Sequence, residues 1–137
     1  MGSLVLDAWA IMAWLKGQQP AAEHVRTLLD AAERRERNLL MNIVNLGEVF
    51  YLSAKARDLH YGQRVLHGLR PRLTTIPASD ELVMKAAGLK ARHAISYADA
   101  FAAATAIDCE LPLVTGDPEL RAVADTEKAL LLEWIAG

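Results

Sequence analysis

The 137-residue sequence predicts an α/β fold, in which a mainly parallel central β-sheet is flanked by helices in a three-layer α/β/α arrangement. Two observations predict it. Short apolar segments alternate with longer segments of helical spacing. Glycine, proline and acidic residues separate the two kinds of segment. The sequence shows no internal repeat, low-complexity segment or linker, so residues 1–137 are expected to form a single domain.

The first half of the sequence predicts two strands and three helices. SLVLD reads as a short buried strand, and AWAIMAWLKG has helical spacing and ends at a glycine suited to a C-terminal cap. PAAEHVRTLLDAAERRER places apolar side chains on one side of a second helix and charges on the other. NLLMN is short and apolar enough for a strand, and NLGEVFYLSAKARD follows it as a third helix.

The second half continues the alternation of helices and strands. Its predicted elements, in order, are a basic amphipathic helix near YGQRVLHGLR, a strand LTTIP, a helix from Ser79, a small-residue helix SYADAFAAATAIDC, a strand LPLVT, a short helix after Pro118 and a strand ALLLEW.

Composition excludes several classes of protein. The chain is 53% hydrophobic, which suits a compact globule rather than a disordered chain. Its single cysteine, Cys109, excludes an intrachain disulfide and a Cys-rich zinc site. The first apolar stretch is interrupted by Asp7 and stops at Lys16, too short to span a bilayer. A soluble, cytoplasmic protein is therefore expected.

Charge is unevenly distributed along the sequence. Residues 55–92 hold eight Lys or Arg against three acids, whereas residues 99–137 hold eight acids against two basic residues. A basic middle can bind phosphates, and an acidic end can hold cations. Solvated faces of surface helices would give the same pattern, so charge alone does not choose between these interpretations.

Four acids lie where the predicted strands end and helices begin. Asp7 closes the first strand, Glu48 and Asp99 lie early in helices, and Asp117 follows the strand LPLVT. Ligands of open parallel sheets bind beyond the carboxyl ends of the strands, so the four acids are expected to gather at one edge. Carboxylates without His or Cys nearby favour Mg²⁺ or Mn²⁺ over zinc.

Each acid also has a purely structural interpretation. Asp7 and Asp117 can be helix N-caps, and Ser96 and Asp99 have the spacing of a capping box. Glu48 fits this interpretation less well, because its apolar neighbours leave the helix little polar face and a partly buried acid needs a partner.

The ordered set LVLDAWAIMAWL, VNLGEVFYL, SYADAFAAATA and LVTGDPEL resembles the PIN domain, and within it the VapC-type ribonuclease toxins of toxin–antitoxin systems. The resemblance covers essentially the whole chain. It implies that Asp7, Glu48, Asp99 and Asp117 form an acidic quartet, with Thr115 as the hydroxyl neighbour of the last acid. Members often have a small polar residue two positions after the first acid, where this chain has Trp9.

This resemblance implies an Mg²⁺- or Mn²⁺-dependent endoribonuclease that hydrolyses RNA phosphodiester bonds, with the four acids as metal ligands. Basic residues of segment 55–92 would contact RNA phosphates. It also implies a homodimer and a cognate antitoxin that blocks the acidic site. The alternative is a non-catalytic PIN-like RNA-binding or scaffold protein in which the acids are only caps. Other phosphate-handling classes lack their motifs here: no Asp-x-Asp follows the first strand, and no Gly-rich turn does.

Overall fold

The computed structural model describes residues 2–137, and its five strands form one parallel sheet in the order β3-β2-β1-β4-β5. The strands are β1 Ser3–Leu6, β2 Asn38–Asn42, β3 Thr74–Ile76, β4 Leu113–Thr115 and β5 Leu132–Trp134. The helices are α1 Ala8–Lys16, α2 Ala21–Glu33, α3 Ile43–Ala56, α4 Leu59–Leu69, α5 Asp80–Arg92, α6 Tyr97–Cys109 and α7 Pro118–Thr126, with a short 3₁₀ turn at Arg70–Arg72.

Both faces of the sheet are covered by helices, which confirms the predicted three-layer α/β/α fold. Side chains alternate along β1, so Leu4 and Leu6 pack with apolar residues of α1, α2 and α3, whereas Val5 faces the opposite way. Val5 belongs to a second core with residues of α5, α6 and α7. Strands that are buried on both faces need near-continuous apolar sequences. Such sequences were the basis for predicting these strands.

Local hydrogen bonds set several helix boundaries that differ from the predicted ones. α3 begins earlier than predicted because the side chain of Asn42 accepts the backbone N–H of Val44 at 2.8 Å. Asp58 caps α4 in the same way through Tyr61, at 2.8 Å. α2 ends at Glu33 rather than at residue 37, because the chain turns into the left-handed conformation shortly afterwards.

All the strands except β2 are shorter than predicted, and β4 and β5 each begin later than expected. β4 begins only at Leu113, because Pro112 has no N–H to donate to a neighbouring strand. β5 begins at Leu132, because Leu130 still belongs to a turn, its N–H donating to the carbonyl of Glu127 at 3.0 Å. Within residues 2–137, no helix is both long and apolar enough to cross a membrane.

Candidate functional site: an acidic cavity beside β1 and β4

The order in which strands are added to the sheet changes direction between β1 and β4. From β1 the chain adds β2 and β3 on one side, whereas β4 and β5 extend the other side. Such a switch point leaves a crevice at the carboxyl ends of the two strands. Asp7 directly follows β1, and Asp117 lies two residues beyond β4. Strand order therefore brings together two acids that are far apart in the sequence.

Asp7 is the buried base of this crevice, with 1% of its surface exposed. Its Oδ1 accepts the backbone N–H of Ala10 at 2.8 Å, and its Oδ2 accepts the hydroxyl of Thr115. The Oγ1 of Thr115 in turn accepts the backbone N–H of Asp117 at 3.0 Å. The fully buried Thr115 thus holds Asp7 in one orientation and connects it to the loop that carries Asp117.

The other three acids line a cavity of about 240 Å³ above Asp7. Glu48 reaches it from α3, Asp99 from the first turn of α6, and Asp117 from the start of α7. The remaining lining residues are mostly apolar or come from α1 and its end: Ala8, Trp9, Met12, Ala13, Lys16, Gln18, Leu52 and Ser96. The structure therefore gathers all four predicted acids, three on the cavity surface and Asp7 beneath it.

Burial and the charges of neighbouring acids raise the pKa values of Asp7 and Asp99. Burial raises the pKa of Asp7 to about 7; its hydrogen bonds from Thr115 and Ala10 oppose the shift, and the charges of Asp99 and Asp117 add to it. Burial also raises the pKa of Asp99 to about 6, with further contributions from Asp117 and Glu48. The carboxylates consequently share one electrostatic field in which a cation would be stabilised.

Glu48 shows the same effect and has an unpaired atom. Burial raises its pKa, the nearby Asn45 side chain opposes the shift, and the charge of Asp117 adds to it. Its Oε1 is buried and has no hydrogen-bond partner within residues 2–137. The same holds for Oδ1 of Asn45, one helical turn earlier, whose amide donates to the carbonyl of Ala98 at 2.8 Å. Two buried oxygen acceptors therefore lack donors beside the cavity.

Helix capping explains only two of the four acids. Asp7 caps α1, and Asp117 caps α7 by accepting the N–H of Glu119 at 2.9 Å. α6 is instead capped by the hydroxyl of Ser96, which accepts the N–H of Asp99 at 3.1 Å. Within residues 2–137, no backbone N–H donates to the carboxylates of Asp99 or Glu48. These two acids are placed at the cavity without a capping role.

The chemical type of the possible ligands at the cavity suits a hard divalent cation. The four acids offer carboxylate oxygens as metal ligands, and these are ligands that Mg²⁺ and Mn²⁺ prefer. The buried Oε1 of Glu48 also needs a cation or a hydrogen-bond donor as its partner. As the side chains stand, no three His, Cys, Asp or Glu residues of segment 2–137 lie close enough together to hold one metal ion. Binding of one ion by three of the acids would thus require their side chains to move closer together.

The sequence-based interpretation missed two residues of this site. Lys16 lines the cavity from the end of α1, although it lies outside the basic segment 55–92. Asn45 was overlooked, although its spacing of three residues from Glu48 puts both on one helix face. The basic segment itself does not line the cavity, and part of its charge is already paired: Lys85 bonds to Asp108, and Arg92 to Glu127 at 3.0 Å.

Trp9 forms one wall of the cavity and packs directly on the loop between β4 and Asp117. A Cβ atom added to Gly116 would lie 2.3 Å from Cη2 of Trp9 and 2.8 Å from Cβ of Ala136. The loop can therefore approach the indole only because residue 116 is glycine. The large side chain at position 9 is accommodated by contact with Gly116.

Gly116→Ala is consequently expected to destabilise the protein by about 1–3 kcal/mol, because the added methyl overlaps the indole. Urea unfolding measures the change. Gly68→Ala, at an exposed helical position with nothing within 4 Å of the added Cβ, should instead stabilise by about 0.5–1 kcal/mol. The penalty should shrink in a Trp9→Ala background. An unchanged penalty there would show that Trp9 is not its cause.

Comparison with known families assigns the chain. The family model described as the PIN domain matches residues 4–126. The chain belongs to the PIN domain family. None of the curated proteins is similar enough in sequence to match.

Solved structures share the fold of this PIN domain at low sequence identity. VapBC2 from Rickettsia felis, bound to a DNA fragment from the promoter, is 19% identical with a TM-score of 0.71, covering 97% of this chain and 98% of that one. DNA-bound VapBC from Salmonella typhimurium is 20% identical with the same TM-score and coverage. VapC20 from Mycobacterium tuberculosis, a Sarcin-Ricin loop cleaving toxin, is 13% identical with a TM-score of 0.70, covering 87% of this PIN domain and 93% of that chain.

Proposed function

We propose that this PIN domain is an Mg²⁺- or Mn²⁺-dependent endoribonuclease and the toxin of a toxin–antitoxin pair. The observation that carries the proposal is the buried Asp7–Thr115 pair beneath a cavity lined by three further acids, at the switch point of the sheet. Similarity of fold to a Sarcin-Ricin loop cleaving toxin supports RNA as the substrate. RNA hydrolysis would place its action in the cytoplasm.

The residues of the site have different roles in the proposed reaction. Asp7, Glu48, Asp99 and Asp117 would hold the cation, and the hydrogen bond from Thr115 fixes the orientation of the Asp7 carboxylate. Bound Mg²⁺ or Mn²⁺ supplies positive charge to the phosphoryl oxygens and activates water for attack. The apolar side chains of Trp9, Met12 and Leu52 line the same cavity, and apolar surroundings strengthen electrostatic interactions.

Partners are proposed from the solved complexes and the surface. The structures similar in fold include VapBC complexes, which supports a cognate antitoxin as the partner of this chain. Tyr51, Leu52 and Leu59 expose large apolar side chains on α3 and α4. Such a surface supports association, including the homodimer that the resemblance implies.

RNA hydrolysis by the purified chain tests the proposed activity. Cleavage of a labelled RNA should require Mn²⁺ or Mg²⁺, stop on addition of EDTA, and fall about a hundredfold or more in Asp99→Asn, because a site carboxylate is lost. Asp58→Asn is the matched control. It is the same Asp-to-Asn substitution, made at the exposed N-cap of α4, which does not line the cavity.

Asp58→Asn should retain activity within about twofold of the wild type, because exposed caps affect stability rather than chemistry. Cleavage that persists in EDTA would refute the metal-dependent mechanism. Absence of cleavage together with equal Mn²⁺ binding by wild type and Asp99→Asn would favour the non-catalytic alternative.

A further inference from the structure

A groove crosses the amino-terminal edge of the sheet, at the opposite ends of the strands from the acidic cavity. It consists of two adjoining hollows of about 430 and 420 Å³. Asn38 and Thr74, the first residues of β2 and β3, lie in its floor. The two hollows share four residues, Ala32, Arg35, Pro71 and Arg72. We call this feature the amino-edge groove.

The amino-edge groove contains guanidinium groups that form no salt bridge in the described part of the chain. Its charged lining residues are Glu33, Arg35, Glu36, Arg37 and Arg72, with His67 beside them. The charge of Glu36 is offset by Arg34, at 3.0 Å. Within residues 2–137, neither Arg35 nor Arg72 forms a salt bridge. Two arginines therefore present free donors to the groove.

Arg35 occupies a backbone position that normally favours glycine. Its φ is 60°, in the left-handed region. The N–H of Arg35 donates to the carbonyl of Ala32 at 3.0 Å, and the N–H of Glu36 to that of Ala31 at 2.9 Å. This pattern is the Schellman cap of α2, in which the left-handed residue is usually glycine. Glycine would adopt this conformation without strain. The stability of the fold therefore does not explain why position 35 is an arginine.

We propose that the amino-edge groove binds the phosphate backbone of RNA, with Arg35 and Arg72 as the principal contacts. The inference rests on the proposed function, because it takes the RNA that the acidic cavity would cut as the occupant. A guanidinium matches a phosphate through paired donors. The five residues of β2 span about 17 Å, so an RNA that reaches both surfaces must extend well beyond the nucleotide being cut.

Binding of RNA in EDTA separates this proposal from a structural role of Arg35. Fluorescence anisotropy with a labelled mixed-sequence RNA of about 30 nucleotides should show about fivefold to tenfold weaker binding by Arg35→Gly, and a salt-dependence slope smaller by about one. Arg72→Ala should have a similar effect. The melting temperature of Arg35→Gly should equal or exceed that of the wild type, because glycine adopts the left-handed conformation without strain.

Arg26→Ala is the matched control. It removes the same charge from the exposed surface of α2, outside the groove, where Arg26 lies 3.9 Å from Glu23. Its RNA affinity should stay within about twofold of the wild type. Equal weakening by Arg26→Ala and Arg35→Gly would overturn the proposal, since it would reduce the effect to net charge. Displacement of RNA by poly-glutamate as effectively as by unlabelled RNA would also overturn it, in favour of an acidic polypeptide.

Cleavage assays on the same proteins separate this inference from the proposed function. If the wild type does not cut RNA, but Arg35→Gly and Arg72→Ala weaken binding while Arg26→Ala does not, the groove is supported and the nuclease assignment fails. If Mn²⁺-dependent cleavage depends on Asp99 while Arg35→Gly binds and cuts RNA like the wild type, the groove is overturned and the nuclease assignment stands.

Discussion

Asp7→Asn is expected to reduce metal-dependent RNA hydrolysis strongly and, at the same time, to make the metal-free protein more stable near pH 8. Asp7 is fully buried, and burial raises its pKa to about 7, so at this pH the folded protein carries an ionised carboxylate that its surroundings disfavour. Asparagine has nearly the same shape and removes that charge. It can still accept the N–H of Ala10 and can donate to Oγ1 of Thr115 in place of the present bond.

The expected gain in stability is about 2–4 kcal/mol, the value of a pKa raised by about three units above that of the unfolded chain. Thermal unfolding in EDTA measures it, with the Asp58→Asn cap variant as the control that should gain nothing. Activity should fall about a hundredfold or more, because a carboxylate that would hold the cation is lost. A variant that is both less stable and still active would show that Asp7 serves only as the cap of α1.

Stability of the metal-free wild type is expected to fall as pH rises from about 4 to about 7. The pKa values of Asp7 and Asp99 in the folded protein, about 7 and about 6, lie above the ordinary value of 3.8. Between these values the folded state binds protons that the unfolded chain has released, so protonation stabilises the fold at low pH. That contribution is lost as pH rises through the folded-state pKa values, which gives stability a negative slope.

A divalent cation should reverse this loss at neutral pH. At about ten times its dissociation constant, an ion bound only by the folded state adds about 1.4 kcal/mol. For a chain of this length the melting temperature should rise by roughly 3–6 °C. Melting temperatures measured between about pH 4 and 8, with Mn²⁺ or with EDTA, test both expectations.

The Asp58→Asn control should follow the wild type at every pH, whereas Asp7→Asn should show a flatter pH dependence and little response to Mn²⁺. Metal-free stability that increases from about pH 4 to 7 in the wild type would contradict the raised pKa values. An equal Mn²⁺ response in all three proteins would place the cation outside the acidic cavity.

Several features of the site could be predicted from the sequence because they depend on neighbouring residues. The apolar segment before Asp7 and the Asp117–Pro118 pair each specify a strand end or a helix start locally. Parallel strands then bring those ends to one edge, which is why Asp7 and Asp117 could be assigned to a common site. The element boundaries were less accurate, since caps such as Asn42 and breaks such as Pro112 shift them by a few residues.

Sequence spacing alone left open whether the acids were caps or ligands. The structure shows that Ser96, rather than Asp99, caps α6, and that Oε1 of Glu48 is buried and receives no hydrogen bond from any residue of segment 2–137. Both findings depend on how α3 and α6 pack beside β1 and β4, which no local pattern records. The contact of Trp9 with Gly116, separated by 107 positions in the numbering, is of the same kind.

By itself the sequence determined the alternation of strands and helices, the two buried faces of the sheet and the family to which the chain belongs, because periodicity, caps and ordered motifs are written in adjacent residues. Only the tertiary structure decided that Asp7 lies beneath the cavity, that Lys16 lines it and that Arg35 lies at a groove on the opposite edge. Burial, charge proximity and free space arise when segments distant in the sequence pack together. Those quantities set the pKa values and the binding surfaces on which function depends.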